Sequence, residues 1–171
     1  VEAVGENVTD LQPGDEVFGS SWADTLATPG TFAEFTVAPA SQLIKKPVGL
    51  TFEEAAASGM SGLTALIAMR DVGQVGPGTR VLINGASGGV GTFAVQIAKA
   101  LGGEVTGVCS TPNLELVRSL GADHVIDYTA EDFTRGERRY DVILDNVINH
   151  PSSATARVLT PTGMLIPNSI G

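Results

Sequence analysis

The chain has 171 residues, 43% of them hydrophobic and 17% charged, with a formal net charge of -9. That apolar content can fill one or two domain cores, no run approaches the roughly 18 apolar residues of a membrane span, and ten scattered Lys and Arg against nineteen Asp and Glu argue against nucleic acid or an anionic membrane as partner. Cys109 is the only cysteine, so neither an intrachain disulfide nor a Cys-based zinc cage can form, and a reducing compartment, the cytoplasm by default, is the expected location.

The chain opens on Val1-Glu-Ala-Val-Gly5, with no Met or targeting leader, and closes on a strand and turn at 163–171. A piece of a longer protein is therefore expected. Residues 1 to about 50 are turn-rich: Gly5, Pro13-Gly14, Pro29-Gly30 and Pro47 punctuate short β-type runs at Glu16–Gly19, Phe32–Val37 and Leu43–Lys45. These predict a small antiparallel sheet or barrel, or an irregular lobe with little sheet. From Thr51 the grammar changes to helix, with Glu53 and Glu54 in an acidic first turn, an Ala-rich run, and a second apolar helix near Leu63–Met69.

After that the sequence alternates. Strands are predicted at Arg80–Asn84, Glu104–Cys109, His124–Tyr128, Tyr140–Asp145 and Met164–Ile166, with helices at Gly89–Leu101, Asn113–Leu120 and near Ser153–Leu159. Parallel neighbours need a crossover connection, so the alternation calls for an α/β fold, a doubly wound parallel sheet with helices on its faces. Val90, Phe93, Ala94, Ile97, Ala98 and Leu101 recur at helical spacing, and Gly102-Gly103 ends that helix.

Between the first of these strands and its helix stands Asn84-Gly-Ala-Ser-Gly-Gly-Val-Gly91. A dinucleotide pyrophosphate needs a turn it can approach without Cβ clashes, with free amides and the positive end of a helix dipole. Gly85, Gly88, Gly89 and Gly91 supply that freedom. On the G-x-G-x-x-G pattern Ala86 takes the first position, Gly88 the second and Gly91 the third, and Ser87 adds a hydroxyl. The competing reading is a merely structural tight turn. The next strand ends Cys109-Ser110-Thr111, with no Asp or Glu to grip a ribose 2′-hydroxyl. Two small hydroxyls leave room for a 2′-phosphate, with Arg118 the nearest downstream cation and no Lys or Arg at Pro112 or Asn113. The cofactor expected is NADPH, with NADH second.

These residues resemble the quinone oxidoreductase branch of the medium-chain dehydrogenase/reductase superfamily, over nearly the whole chain. The likeness runs from Val1-Glu-Ala-Val-Gly-Glu-Asn-Val8 and Pro13-Gly-Asp-Glu-Val-Phe-Gly19 through Gly30-Thr-Phe-Ala-Glu-Phe35 and Gly62-Leu-Thr-Ala65 to the glycine turn, Leu120-Gly-Ala-Asp123 and Asp141–Val147. It implies part of a GroES-like catalytic lobe over residues 1–58 and a Rossmann domain over 59–171, both incomplete, with substrate and nicotinamide in the cleft between them. It also implies that Ser87, Gly88, Gly89 and Val90 hold the pyrophosphate, that Ser110, Thr111 and Tyr128 lie on the adenosine phosphate side, and that Thr64, Asn146 and Val147 lie near the nicotinamide. Relatives carry Gly after the Asn-Val pair; here Ile148 stands there, and His150-Pro151 is also unusual.

Zinc-dependent relatives have a four-Cys lobe and a ligand Cys before the Gly-Leu-Thr helix; Gly19–Gly30 and Ser58-Gly-Met-Ser61 contain none. Zinc is therefore not expected. The reaction implied is hydride transfer from NADPH to a quinone or an α,β-unsaturated carbonyl, on a small-molecule substrate, by a protein whose family allows a homodimer. No catalytic residue stands out. Two alternatives remain. One is a non-enzymatic NADPH-binding module of the same fold. The other is a serine hydrolase, since Gly85-Ala-Ser-Gly-Gly89 also fits the G-x-S-x-G nucleophile elbow, with Asp145 and His150 following in order. Cys109 reads as a buried small hydrophobe, His124 as a satisfied polar neighbour of the core, and Arg135–Arg139 as a solvated loop. Phe18 and Trp22 stand evenly between lining a quinone site and filling the lobe's core.

Overall fold

The computed structural model describes residues 1–21 and 30–168. The chain divides into two compact units, Val1–Met60 and Ser61–Gly171.

In the first unit β1 (Val17–Gly19) pairs antiparallel with β2 (Leu43–Lys45), Phe18 opposite Ile44. The ladder is anchored by charge. Lys45 Nζ donates to Asp15 Oδ1 at 3.1 Å, and this bond holds the Asp15 carboxyl below the usual carboxylate range. The Phe32–Val37 run forms no strand, against expectation, and Phe32, Phe35 and Val37 are exposed. A strand needs a neighbour for its backbone hydrogen bonds, and among the described residues β1 and β2 pair only with each other. Trp22 lies outside the described residues, and Phe18 is half-buried in β1.

Thr51 and Glu54 form a capping box: Glu54 N donates to Thr51 Oγ1 at 3.1 Å, and Thr51 N donates to Glu54 Oε2 at 2.9 Å. This starts α1 (Phe52–Leu66), which runs directly into a π-helical turn at Ile67–Val72. One continuous helix therefore replaces the two predicted. Gly59 and Gly62 each weaken a helix by about 1 kcal/mol relative to Ala, which is not enough to break one whose Ala65, Ala68 and Met69 are buried.

The second unit is a five-stranded sheet in the order β5-β4-β3-β6-β7, with every adjacent pair parallel. Its strands are β3 (Arg80–Asn84), β4 (Glu104–Cys109), β5 (His124–Asp127), β6 (Tyr140–Asp145) and β7 (Leu159–Pro167). Helix α2 (Gly89–Ala100) joins β3 to β4, α3 (Leu114–Ser119) joins β4 to β5, and α4 (Ser152–Thr155) stands between β6 and β7. The helix predicted near Ser153–Leu159 is present over most of that span, since α4 runs on into a 3-10 turn at Ala156–Val158; only Leu159 already belongs to the strand. The Leu159–Thr162 stretch ahead of Gly163 shifts register against Tyr140–Val142 rather than continuing as helix.

Alternation along the strands sends Val81 and Ile83 to one face, where they pack with Ala94, Val95 and Ala98 of α2 and with Met69. Leu82, Val108 and Ile143 point to the other, among Phe133, Tyr140 and Val158. Full burial of each such side chain contributes about 1.5–3 kcal/mol. The β5–β6 connection holds only a 3-10 turn at Phe133–Arg135, and Arg138 pairs with Glu104, so the Arg135–Arg139 loop is less free of the sheet than its composition suggests.

Candidate functional site

From β3 the chain passes through α2 to β4 on one side; from β5 it returns to β6 on the other. The carboxyl ends of β3 and β6 therefore flank the topological switch point, the place where an open parallel sheet leaves a crevice for a ligand. Both ends are irregular. At the end of β3, Gly85 adopts φ +77°, and the Gly85 and Ala86 amides both donate to Val108 O, at 3.1 and 2.9 Å.

The four glycines of the turn divide by what surrounds them. A Cβ on Gly91 would lie 2.1 Å from Gly85 O, and one on Gly85 would lie 2.9 Å from a Val147 methyl in a backbone conformation that L side chains rarely adopt. Those two are required by the fold. A Cβ on Gly88 would meet only Gly85 O at 3.4 Å, and one on Gly89 only Ser61, its Oγ at 3.1 Å. Gly88 and Gly89 are exposed, and α2 begins there with no side-chain cap and no acidic residue in its first turn. The free amides of that turn and the helix dipole meet solvent beside an open backbone, the surface an anionic diphosphate needs. Ser87 and Val90 flank it, both half-buried. The left-handed turn residue is Gly85, one place before the fingerprint's first position; Ala86 is fully buried, facing Gly107 of β4.

Ser61, whose hydroxyl faces Gly89, and Thr64, three residues later on α1, share one side of that helix. At the end of β6 the buried Asp145 accepts three hydrogen bonds on Oδ1, from Asn84 Nδ2 at 2.8 Å, Val147 N at 3.1 Å and Ile148 N at 2.9 Å. Asn84 Nδ2 also donates to Asn149 Oδ1 at 3.0 Å. Asn146 is tied to the sheet: its Nδ2 donates to Asn84 O at 3.0 Å, and its Oδ1 accepts from Asn168 Nδ2 at 2.8 Å. Val147 is left exposed beside Gly85. Ile148 sits at φ +53°, a left-handed conformation that a glycine adopts freely and a β-branched residue does not.

At the ends of β4 and β5, Ser110, Thr111 and Tyr128 come together. Asn113 Nδ2 donates to Ser110 Oγ at 3.0 Å, Tyr128 N to Cys109 O at 3.1 Å, and the Tyr128 side chain is exposed. Thr111 Oγ1 donates to Asp127 Oδ2 at 2.5 Å, while Thr129 donates to Asp127 Oδ1 through Oγ1 at 2.7 Å and through N at 2.9 Å. The Thr111 and Thr129 bonds hold the Asp127 carboxyl below its usual range. Arg118 is paired with Glu115 on α3. Cys109 is buried, and burial, with Asp127 adding to it, pushes its thiol pKa up, the state of an inert core residue.

The hydrolase constellation does not assemble. The Asp145 carboxylate turns to Asn84 and to backbone amides, whereas His150 faces Asp132 at 3.9 Å and stacks edge-on with Phe133. His124 is satisfied as expected, by a hydrogen bond with Glu104 at 3.1 Å, but it stands exposed at the start of β5 rather than against the core. Ser61, Asp127 and the clamp made by Asp145 have no signature in the sequence, because each gains its meaning only from a neighbour on another element. Among the described residues no three His, Cys, Asp or Glu side chains gather so as to hold a metal ion, and no helix is long and apolar enough to cross a membrane.

Known proteins resemble this chain. The family model described as zinc-binding dehydrogenase matches residues 89–168. The mitochondrial NAD(P)H oxidoreductase RTN4IP1 of Mus musculus is 45% identical over 152 residues, 84% of this chain and 37% of that protein. The trans-enoyl reductase pgmF of Aspergillus terreus is 43% identical over 155 residues, 86% of this chain and 43% of its own length. Among solved structures, the quinone oxidoreductase from Coxiella burnetii superposes with a TM-score of 0.85 at 33% identity, covering 95% of this chain and 50% of that one. The chain thus spans half or less of the length of each of these relatives.

Proposed function

We propose that the chain belongs to the medium-chain dehydrogenase/reductase superfamily and is the coenzyme-binding portion of a zinc-independent, NADPH-dependent reductase of quinones or α,β-unsaturated carbonyls. The observation that carries the coenzyme is the division among the glycines: Gly85 and Gly91 are closed off by the protein itself, while Gly88 and Gly89 are open at an uncapped helix start. In this reading the amides around Gly88 and Gly89, with Ser87 and Val90, hold the pyrophosphate. Ser110, Thr111 and Tyr128 hold the adenosine end, and Thr64, Asn146 and Val147 border the nicotinamide. Bound there, the reduced nicotinamide supplies the hydride, and the protein's part is position and electrostatics.

Two similarities support the substrate class, one to a trans-enoyl reductase and one to a quinone oxidoreductase. The zinc-free chemistry rests on the absence of Cys from Gly19–Gly30 and Ser58–Ser61. NADPH over NADH rests on the absence of an acidic residue at Ser110–Thr111, immediately after β4. A homodimer in a reducing compartment such as the cytoplasm completes the proposal.

The test is Gly88→Val in full-length protein, read by NADPH titration and by circular dichroism. A side chain there meets little of the protein but stands off the phosphates, so the fold should survive while binding falls at least tenfold. Loss of one charge-assisted hydrogen bond of about 1.5–3 kcal/mol is enough, since tenfold needs about 1.4 kcal/mol. A folded Gly88→Val protein that binds NADPH as the parent does removes the pyrophosphate from this turn. NADPH oxidation assayed with quinones and enones separates reductase from binding module, and turnover of simple alcohols only on addition of zinc defeats the zinc-free reading.

A further inference from the structure

The Thr111–Asp127–Thr129 cluster reads as more than a strand-end tie, on the proposed placement of the coenzyme's adenosine end beside Ser110, Thr111 and Tyr128. A threonine hydroxyl has one proton to donate and can accept at its lone pairs; an ionised carboxylate only accepts. Thr111 Oγ1 donates to Asp127 Oδ2 at 2.5 Å and Thr129 Oγ1 donates to Asp127 Oδ1 at 2.7 Å. Both hydroxyl protons therefore point at the same carboxylate. The two hydroxyl oxygens lie 3.2 Å apart, within hydrogen-bond distance, so the protons of both are held inside the cluster rather than turned toward a ligand.

What Thr111 and Thr129 leave for a ligand is a hydroxyl oxygen able to accept, backed by a negative charge, while the Ser110 hydroxyl, which accepts from Asn113, keeps its own proton. A ribose 2′-hydroxyl, which can donate, suits Thr111 Oγ1. A 2′-phosphate, which carries no proton to give at neutral pH and is itself anionic, meets an acceptor and a like charge. The described cations nearby do not offset this: Arg118 is paired with Glu115 on α3, and neither Pro112 nor Asn113 brings a charge.

We infer that Asp127 is the residue that limits this protein's discrimination between the two nicotinamide coenzymes, orienting the Thr111 and Thr129 hydroxyls away from a 2′-phosphate and opposing its charge. Removing the charge leaves a site that favours the phosphorylated coenzyme more strongly. Asn at 127 can still accept from one hydroxyl, and its amide can donate to the other, which frees one hydroxyl proton to turn outward.

The experiment is titration of NADPH and NADH into the parent, Asp127→Asn and Asp127→Ala in full-length protein, at two salt concentrations. Each variant is judged by the ratio of its two affinities, which a partial loss of folded protein does not alter. Asp127→Asn should raise the preference for NADPH about tenfold, nearly all of it through tighter NADPH binding, with NADH changing less than twofold. Asp127→Ala should move the ratio in the same direction, and the gain should shrink at high salt. A parent that prefers NADH, together with variants that shift toward NADPH, supports the role of Asp127 and overturns the NADPH proposal. A parent that prefers NADPH, with variants whose ratio stays at the parent value, overturns the role of Asp127 and leaves that proposal standing.

Discussion

Two strand ends meet at the switch point of the sheet, and they make their turns by opposite means. The turn after β3 is built by removing side chains: Gly85 takes φ +77°, and Gly91 lies so close to Gly85 O that no Cβ fits. The turn after β6 is built by a side chain. The buried Asp145 gathers Asn84 and the Val147 and Ile148 amides, and Ile148 accepts a left-handed backbone. A turn made by omission shows in the sequence as a glycine pattern. A turn made by a carboxylate shows as one more Asp in a chain that has nineteen acidic residues.

The largest effect that would break this comparison is at Gly91. Gly91→Val puts a branched side chain where even a Cβ sits 2.1 Å from a backbone oxygen, so helix and strand must part. The expected loss is about 4 kcal/mol or more, in the range reserved for severe overpacking. Gly88→Ala, three residues earlier, should lose no more than about 1 kcal/mol, the ordinary penalty for replacing Gly by Ala at an N-cap. Urea midpoints that place the two variants within about 1 kcal/mol of each other would show that the glycines are not divided into fold and ligand roles.

The next effect sharpens the other side. Asp145→Ala leaves Asn84 Nδ2 and two backbone amides near a void, and a buried donor without its partner costs about 1–3 kcal/mol. Other acceptors serve part of that set, since Asn84 also donates to Asn149, so the whole variant should lose about 3 kcal/mol. Hydrogen exchange should show the loss first at the 147 and 148 amides. Unchanged protection there means that Asp145 does not hold the turn.

The same contrast explains what could be read in advance. Strands β3, β4 and β6 fall on their predicted residues, Arg80–Asn84, Glu104–Cys109 and Tyr140–Asp145. Each is an apolar run buried on both faces, the strongest periodic signal a parallel sheet gives. Helix α2 is legible from the helical spacing of its one apolar face, with Gly102 and Gly103 after it. Prediction fails where a partner decides the outcome. Phe32–Val37 has strand composition and no strand, α1 runs through Gly59 and Gly62 because its far end is buried, and Leu159 joins β7 because β6 offers it a ladder. At the site, the glycine turn is legible and Ser110, Thr111 and Tyr128 do converge, while the Asp127 and Asp145 networks depend on contacts between strand ends that no local pattern encodes.

The smallest effect is the one that tests the β6 turn most directly. Ile148 holds φ +53°, where an L residue pays about 1–2 kcal/mol relative to a right-handed conformation and a β-branched one stands toward the upper end. Ile148→Gly relieves that strain but gives the unfolded chain more freedom, a loss of about 0.4–1 kcal/mol. The side chain is 41% exposed, so little apolar burial is forfeited with it. The two terms leave a net gain of about 0.5 kcal/mol, small but with a definite sign. Ile148→Ala shows the contrast: it retains a Cβ at the strained φ and loses apolar contact, so it should be no more stable than the parent. Thermal melts of the three proteins should therefore rank Gly above Ile, with Ala at or below Ile. If Ile148→Gly melts below the parent, the Asp145 clamp is not forcing a strained backbone on Ile148, and the turn after β6 owes its shape to the Ile148 side chain instead.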